Sequence, residues 1–284
     1  MKIGLVTYDT LPQLAPGEQA LIPILAAKGI EAVGVVWSDA AVHWQQFDAL
    51  VIRSVWDSHL KPVEFAQWLN TMKALSINVF NSVDTILFNL HKFYLRDLAK
   101  RGVPIVPTIF IEKQSALHLN DIWKHQWKQA VIKPAISAGA FLTEIFTEAG
   151  TKAIEEKYET IVQERDLLIQ PFMQEVHTLG ELSFIFFNKQ FSHAVLKKPT
   201  KNDFRVQEIY GGQTIPYTPS LQEIDAATKI VHCIPEALLY ARVDGVMVED
   251  EFVLMELELI EPDLFLSHHP QAVENFANAI EAIV

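Results

Sequence analysis

The sequence has a single cysteine, Cys233. No intrachain disulfide can form, and a lone thiol among apolar neighbours, with no Cys-x-x-Cys partner, reads as a buried structural group in a chain suited to a reducing compartment. Cations are scarce as well: 23 Lys and Arg face 35 Asp and Glu, for a net charge of −12. That balance argues against nucleic acid and anionic membrane as partners, since both call for a basic surface. No apolar run approaches the ~20 residues that span a bilayer. The opening MKIGLVTYD lacks the apolar core and small-residue cleavage site of a signal peptide, so the expectation is a cytoplasmic protein. Four chemical fingerprints are missing too. Without G-x-G-x-x-G or G-x4-G-K-[ST] there is no support for a dinucleotide or P-loop site. Without H-E-x-x-H or G-x-S-x-G there is none for a zincin or a serine hydrolase. His268-His269 has no acidic or cysteine company at ligand spacing, so zinc is not expected.

What is present is a large apolar share, 50% of 284 residues, enough for a globular protein of two or three lobes. The first ~85 residues alternate strand and helix signals, which predicts a small parallel α/β lobe. KIGLVTY, EAVGVVW, DALVIRS and INVFN read as its strands, with helices over 18–28 and 62–75. A helix is expected from Asp84 to Lys100, closed by Gly102 with Pro104 beyond it. PIVPTIFI then reads as a strand and 115–128 as a helix. The strand and turn AVIKPAISAGA, the strand TEIF, a helix near 150–164 and the strand LLIQPFMQEV follow. The remainder is rich in hairpins: ELSFIFF with QFSHAVLKK, then DFRVQEIYGG, a helix near 220–233, and a last pair of strands.

That last pair holds the central question. In LMELELIEP, alternation puts Leu254, Glu256, Glu258 and Ile260 on one face and Met255, Leu257 and Leu259 on the other. If Glu249-Asp250-Glu251 is a three-residue loop joining Val248 to Phe252, antiparallel pairing sets Asp244 opposite Glu256 and Arg242 opposite Glu258. Neighbouring carboxylates repel unless the face meets water or a cation. One reading is a solvated face with a single cross-strand ion pair. The other is a site where Asp244, Glu256 and Glu258 hold a divalent cation and Arg242 handles an anion. Oxygen-only ligands suit Mg²⁺, which bridges carboxylates to nucleotide phosphates.

A phosphate site would need the scarce cations. Lys133 sits in the apolar strand AVIKP directly before the small-residue turn Ser137-Ala138-Gly139-Ala140, whose N–H groups suit phosphate oxygens. A lysine there is expensive unless an anion meets it, although a side chain snorkelling from a strand end explains it too. Lys92 is a single cation on the expected 84–100 helix. Lys197, Lys198 and Arg205 form the densest cationic cluster, followed by Gly211-Gly212. In the link LLIQPFMQEV, Gln170 to Met173 could offer backbone groups to a purine edge, with Glu181 accepting from ribose hydroxyls; an ordinary interdomain strand is the plainer reading. Arg53, Ser54, Trp56 and Asp57 follow the carboxyl end of the ALVI strand, where open α/β sheets place ligands.

Taken in order, HKFYLRDLAKRGVPIVPT, VIKPAISAGA, LIQPFMQEV, GELSF, FSHAVLKKP, DFRVQEIYGG, YARVDGVM and LMELELIEP resemble the ATP-grasp superfamily, over ~190 residues from Asn89 to Asp263. Within it the chain looks like the glutathione-synthetase and D-alanine–D-alanine-ligase branch. It most resembles a bacterial group that includes the D-cycloserine-forming ligase. The resemblance implies an N-terminal α/β substrate lobe (1–85) and an ATP-grasp domain of two α+β subdomains, 86–172 with the phosphate loop and 173–284 with the metal site. It implies that Lys92, Lys133, Ser137, Ala138 and Gly139 meet ATP phosphates, that Gln170, Phe172 and Met173 line the adenine site, and that Glu181 holds ribose. Lys197, Arg205 and Arg242 would be the catalytic cations, and Asp244, Glu256 and Glu258 would hold Mg²⁺ or Mn²⁺. Arg53, Ser54, Asp57, Gly211 and Gly212 would meet substrate. Two departures stand out: the phosphate loop has one glycine where many relatives have more, and the metal strand reads Glu-x-Glu where many have Glu-x-Asn. The activity implied is ATP-dependent ligation of a small carboxylate to an amine or thiol through an acyl-phosphate, by a homodimer. A cyclising ligase, a small-molecule kinase and a nucleotide-binding protein without turnover are the alternatives.

Overall fold

The computed structural model describes residues 1–200, 205–206 and 210–284. No helix among the described residues is long and apolar enough to cross a membrane. The first lobe runs β1 (Lys2–Thr7), α1 (Pro16–Gln19), α2 (Leu21–Ala27), β2 (Glu31–Val36), β3 (Ala49–Ser54), α3 (Pro62–Ala74) and β4 (Asn78–Phe80). Its strands are parallel, in the order β2-β1-β3-β4. β3 is buried at every position, as a strand covered on both faces must be, which is why ALVI reads as an unbroken apolar run. The strand order reverses between β1 and β3, so the ligand crevice of such a sheet opens beyond Thr7 and Ser54. The expected 18–28 helix starts at Pro16 and is divided at Ala20, because Pro23 has no N–H to offer the carbonyl of Gln19.

The single helix expected from Asp84 to Lys100 is two: α4 (Val83–Leu90) and α5 (Tyr94–Lys100). His91 is extended between them, and the break is tied down by tertiary bonds. The N–H of Lys92 donates to the carbonyl of Ala135 (2.9 Å), and the His91 ring meets the Asp166 carboxylate at 2.7 Å. Lys92 therefore lies in a joint, not on a helix. The second sheet, antiparallel in the order β5-β8-β6-β7, comprises β5 (Ile109–Ile111), β6 (Ala130–Pro134), β7 (Glu144–Phe146) and β8 (Leu167–Pro171), with α6 (Thr151–Ile161) between the last two. PIVPTIFI is shared between sheets, since Pro104 and Pro107 cannot donate to a ladder. Its first part pairs with Leu254, and only Ile109–Ile111 joins β8. In place of the 115–128 helix there is a 3-10 stretch, Leu119–His125, ended by Gln126 in the left-handed region (φ 62°).

After the short α7 (Glu175–Thr178) come β9 (Glu181–Phe187), β10 (Gln190–Lys198), β11 (Gln213–Tyr217), α8 (Leu221–His232), β12 (Tyr240–Val248), β13 (Glu251–Glu258) and α9 (Ala272–Glu281). These strands form an antiparallel sheet in the order β11-β10-β9-β12-β13. Of the expected strand DFRVQEIYGG, Asp203, Phe204, Gln207, Glu208 and Ile209 lie outside the described residues. One face of this sheet (Leu182, Phe184, Phe186, Ala241, Val243, Leu257) packs on α8 and α5. A different core joins it to the first lobe, where Phe187, Tyr240 and Phe276 of α9 meet Leu21 and Leu25 of α2.

A polar seam reinforces that junction. The hydroxyl of Tyr240 reaches the carbonyls of Ile52 and Ile260, both at 2.8 Å. The Asn81 amide donates to the carbonyls of Tyr240 and Leu259 and accepts from the N–H of Leu239. Asn89 brackets the outer edge of β13, donating to Leu257 and accepting from Leu259, both at 2.8 Å.

Candidate active site

The site is built on the other face of the five-stranded sheet. Register brings Lys197 opposite Glu181, Asp244 between Ser183 and Glu256, and Arg242 opposite Glu258. The Asp244–Glu256 and Arg242–Glu258 pairings agree with the sequence reading, yet the hairpin reaches them differently. Val248 pairs with Glu251, so the loop is the two residues Glu249-Asp250, and a bulge restores the register where Gly245 pairs with Leu254. Bulged residues oppose one partner together, so Met255 and Glu256 share the site face while Leu254 turns into the opposite core. This corrects the alternation assigned to Leu254 and Met255. Gly245 is required at the bulge, because a Cβ there would lie 2.4 Å from the Phe252 ring and 2.5 Å from the carbonyl of Val253.

The face is an ion network, denser than the single cross-strand pair considered above. Arg242 donates to both oxygens of Asp244 (2.9–3.1 Å), to Glu258, and to the carbonyl of Asp263 at 3.1 Å. Lys197 bridges Glu181 (2.5 Å) and Asp244 (3.4 Å), and Ser183 donates to Asp244. Lys92 holds Glu256 at 2.8 Å and the carbonyl of Ser137 at 2.6 Å. Burial works to raise the Asp244 carboxyl, but Arg242 and Lys197 overcome it and hold the group at about 2. Glu258 goes the other way: burial, with Glu256 and Asp244 adding like charge, pushes it up to about 8 against the pull of Arg242. Among the described residues no three acidic, histidine or cysteine groups are arranged as a metal-ligand set. Asp244, Glu256 and Glu258 share a face, and each carboxylate is engaged by a cation.

Lys133 differs from its neighbours. It is half-buried on β6, and its side chain makes no hydrogen bond or ion pair among the described residues. Burial lowers its proton affinity, and Lys92 adds to that, against the attraction of Glu256 and Glu181. Beside it, Gly139 and Ala140 are both left-handed (φ 57° and 60°). The Tyr210 hydroxyl donates to the carbonyl of Gly139 (3.2 Å), and the Arg205 guanidinium lies 3.6 Å from the Tyr210 ring. Gly211 (φ 85°) and Gly212 come between Tyr210 and β11.

In the link after β8, the Gln170 side chain is not offered to a ligand: it is buried and donates to Thr108 Oγ1 at 2.9 Å. The N–H of Phe172 is spent on the carbonyl of Gln129. The N–H of Met173 has no partner among the described residues, and its side chain packs with Val206, Val246 and Met255 in a small apolar wall. Met255 was missed in the sequence because a bulge leaves no mark in an alternating pattern.

The residues expected to meet substrate in the first lobe are sealed. The Arg53 side chain is 0% exposed and pairs with Glu18, donates to the carbonyl of Pro262 (2.9 Å) and stacks near Tyr240 and Phe276. Ser54 donates to the second oxygen of Glu18 at 2.6 Å. Asp57 accepts from the Trp37 indole (2.8 Å) and Lys61 (2.9 Å). All three side chains are taken up by protein partners in this structure. Beside them, a cavity of about 210 Å³ lies between Pro16, Glu18, Trp56, Asp263 and His268; through the Asp263 carbonyl it borders Arg242. A larger groove of about 550 Å³, between Arg101–Pro104, α8 and the β12–β13 hairpin, includes none of the expected site residues.

Comparison with known proteins follows the same geometry. Residues 3–81 match the family described as D-cycloserine synthetase DcsG, N-terminal domain. The cycloserine biosynthesis protein DcsG of Streptomyces lavendulae is 24% identical over 98% of both chains. The crystal structure of D-cycloserine synthetase DcsG superposes with a TM-score of 0.87 at 23% identity, covering 100% of this chain and 99% of that one. A RimK-domain ATP-grasp protein from Sphaerobacter thermophilus DSM 20745 does so at 0.75 and 18% identity, over 100% and 99%. The chain has the fold of the ATP-grasp ligases. Lys133 and the small-residue turn lie on the second sheet and its following loop, and the ion network on the third.

Proposed function

We propose that this protein is an ATP- and Mg²⁺-dependent ligase that joins a small amino-acid-like or peptide carboxylate to an amine or thiol through an acyl-phosphate. The observation that carries this reading is Lys133, a half-buried ammonium without a partner among the described residues, beside a turn of left-handed small residues. Such a group is stable only if an anion completes it. Lys92, Lys133, Lys197, Arg205 and Arg242 are the cations for the phosphates and the acyl-phosphate. Phe172 and Met173, with the open Met173 N–H, suit the adenine, and Glu181 the ribose. Asp244, Glu256 and Glu258 are oxygen donors of the kind that suits Mg²⁺ or Mn²⁺. They would hold the ion once their cationic partners yield to phosphate, and the ion would supply charge neutralisation at the phosphoryl oxygens. Lys92, drawn onto phosphate, would release Glu256 for that role. Catalysis is then positioning and electrostatic stabilisation, which needs no enzyme nucleophile.

The lobe division at 1–85, 86–172 and 173–284 is supported by the three sheets, each of which falls inside one of those limits. A cytoplasmic setting is supported by the single cysteine. A homodimer rests on the resemblance alone, and sedimentation would test it. The similarity to DcsG favours a second reading, an intramolecular, cyclising ligase. One experiment separates them: amino acids and dipeptides are screened for stimulated ADP release, with product masses recorded. Ligation gives the sum of two substrates less water, cyclisation gives one substrate less water, and a stable phosphorylated product would replace both readings with a kinase.

A further inference from the structure

The 3-10 turn Ser58–Leu60, just beyond the carboxyl end of β3, carries His59. Its Nδ1 is buried and meets no partner at good hydrogen-bond geometry among the described residues, although the Trp56 backbone lies close enough to favour a proton on the ring. An unsatisfied buried nitrogen is costly, and native proteins keep such groups where a ligand or water completes them. A second buried orphan among the described residues, the Trp68 indole N–H, sits among Trp37, Trp44 and Phe65 in an aromatic core.

The surroundings of His59 are different in kind. Its ring meets the Phe141 ring at 5.5 Å, and the N–H of Phe141 closes the small-residue turn onto the carbonyl of Ala138. The Arg165 guanidinium lies 5.7 Å from the same Phe141 ring. Burial lowers the proton affinity of His59; the Trp56 carbonyl and Asp57 oppose this, and the charges of Lys92 and Arg165 add to it. Asp57 is already occupied by Trp37 and Lys61. The imidazole thus stands between the first lobe and the small-residue turn, with burial and the charges of Lys92 and Arg165 disfavouring its proton against the pull of Asp57. An anionic oxygen is the ligand such a place accepts, and a neutral imidazole N–H can donate to it without adding a positive charge beside Lys92.

We propose that His59 is the first lobe's contact with the reacting group, its imidazole donating a hydrogen bond to an oxygen of the substrate carboxylate and of the acyl-phosphate made from it. This deepens the ligase reading and rests on it. The test uses His59→Phe, which keeps the ring packed on Phe141 and removes both nitrogens. With Mg²⁺ and ADP present, acetyl phosphate serves as an acyl-phosphate probe that needs no knowledge of the substrate. The variant should melt at or above the wild-type temperature and bind ATP as wild type does. It should bind acetyl phosphate roughly tenfold or more weakly, the scale of one hydrogen bond to a charged group. On any substrate found by ADP release, kcat/KM should fall by a similar factor, and His59→Gln should recover part of it. Equal acetyl phosphate affinity in His59→Phe and wild type, or an equal loss of ATP affinity, overturns the assignment. Failure of every candidate substrate to release ADP from the wild type would instead count against the ligase reading.

Discussion

Around Arg53 and around Lys133 the chain buries charge in two different ways. Arg53 lies 0% exposed with Glu18, Ser54 and the Pro262 carbonyl fitted around it. Tyr240 and Asn81 continue the same seam with bonds to fixed backbone carbonyls. On the sheet face, the acids are held by long cationic side chains instead, and 27–30% of Glu256 and Glu258 stays open to solvent. Side-chain pairs can exchange partners when a ligand arrives, whereas backbone carbonyls in a sheet cannot. Lys133 carries the contrast furthest, since its ammonium waits for a partner. A complete set of partners thus marks structure, and an incomplete or exchangeable set marks function.

The largest effect should come from the closed seam. Arg53→Ala leaves Glu18 buried and uncompensated, and breaking a buried pair costs about 3–5 kcal/mol. Urea unfolding should show that loss, while ATP binding by the folded fraction stays unchanged; abolished ATP binding in folded protein would erase the distinction between the regions. His193 gives a pH-dependent version. Burial holds it down at about 4, with Nε2 on the Leu264 carbonyl and His269 stacked against it. Between the ordinary histidine value of ~6.5 and the folded value, the unfolded chain takes up the proton and the folded chain does not. Stability should therefore fall as pH drops through that window, by up to about 3 kcal/mol, and His193→Gln should flatten the slope.

On the open face, Arg242→Ala should lower kcat by ~10²-fold or more, the scale for one preorganised stabiliser. Glu256→Gln should leave the fold stable while raising the Mg²⁺ requirement. Full Mg²⁺-dependent turnover in both variants would reduce the face to a structural ion network. The smallest effect is at Lys133: Lys133→Ala should weaken ATP binding by at least ~1.5 kcal/mol in calorimetry. It should not destabilise the fold, because no protein partner is lost.

Most of the strands and the cross-strand acids were legible in the sequence, because alternation and motif order are local signals. What escaped depends on distant partners. The break at His91–Phe93 is made by Ala135 and Asp166, some way along the chain from it. Arg53 reads as a strand-end ligand until Glu18 is seen to close over it. The β13 pairing was reached through the wrong turn: a loop one residue shorter and a bulge one residue longer cancel, and only Gly245 hints at it.

The edge of β13 has one more consequence, for association between copies. A free strand edge is a template for another chain. Here Leu254 is paired with Pro104 and Val106, Leu257 with Tyr94 and Asn89, and Leu259 with Asn89 and Asn81. A short backbone bridge at Leu254 and side chains beyond it have taken the place of a sixth strand. On the opposite flank, β11 carries Pro216, which has no N–H to give. Strand addition is thus blocked at one margin and interrupted at the other, which protects the sheet from edge-to-edge aggregation and leaves helices and loops as the surfaces through which two copies would meet.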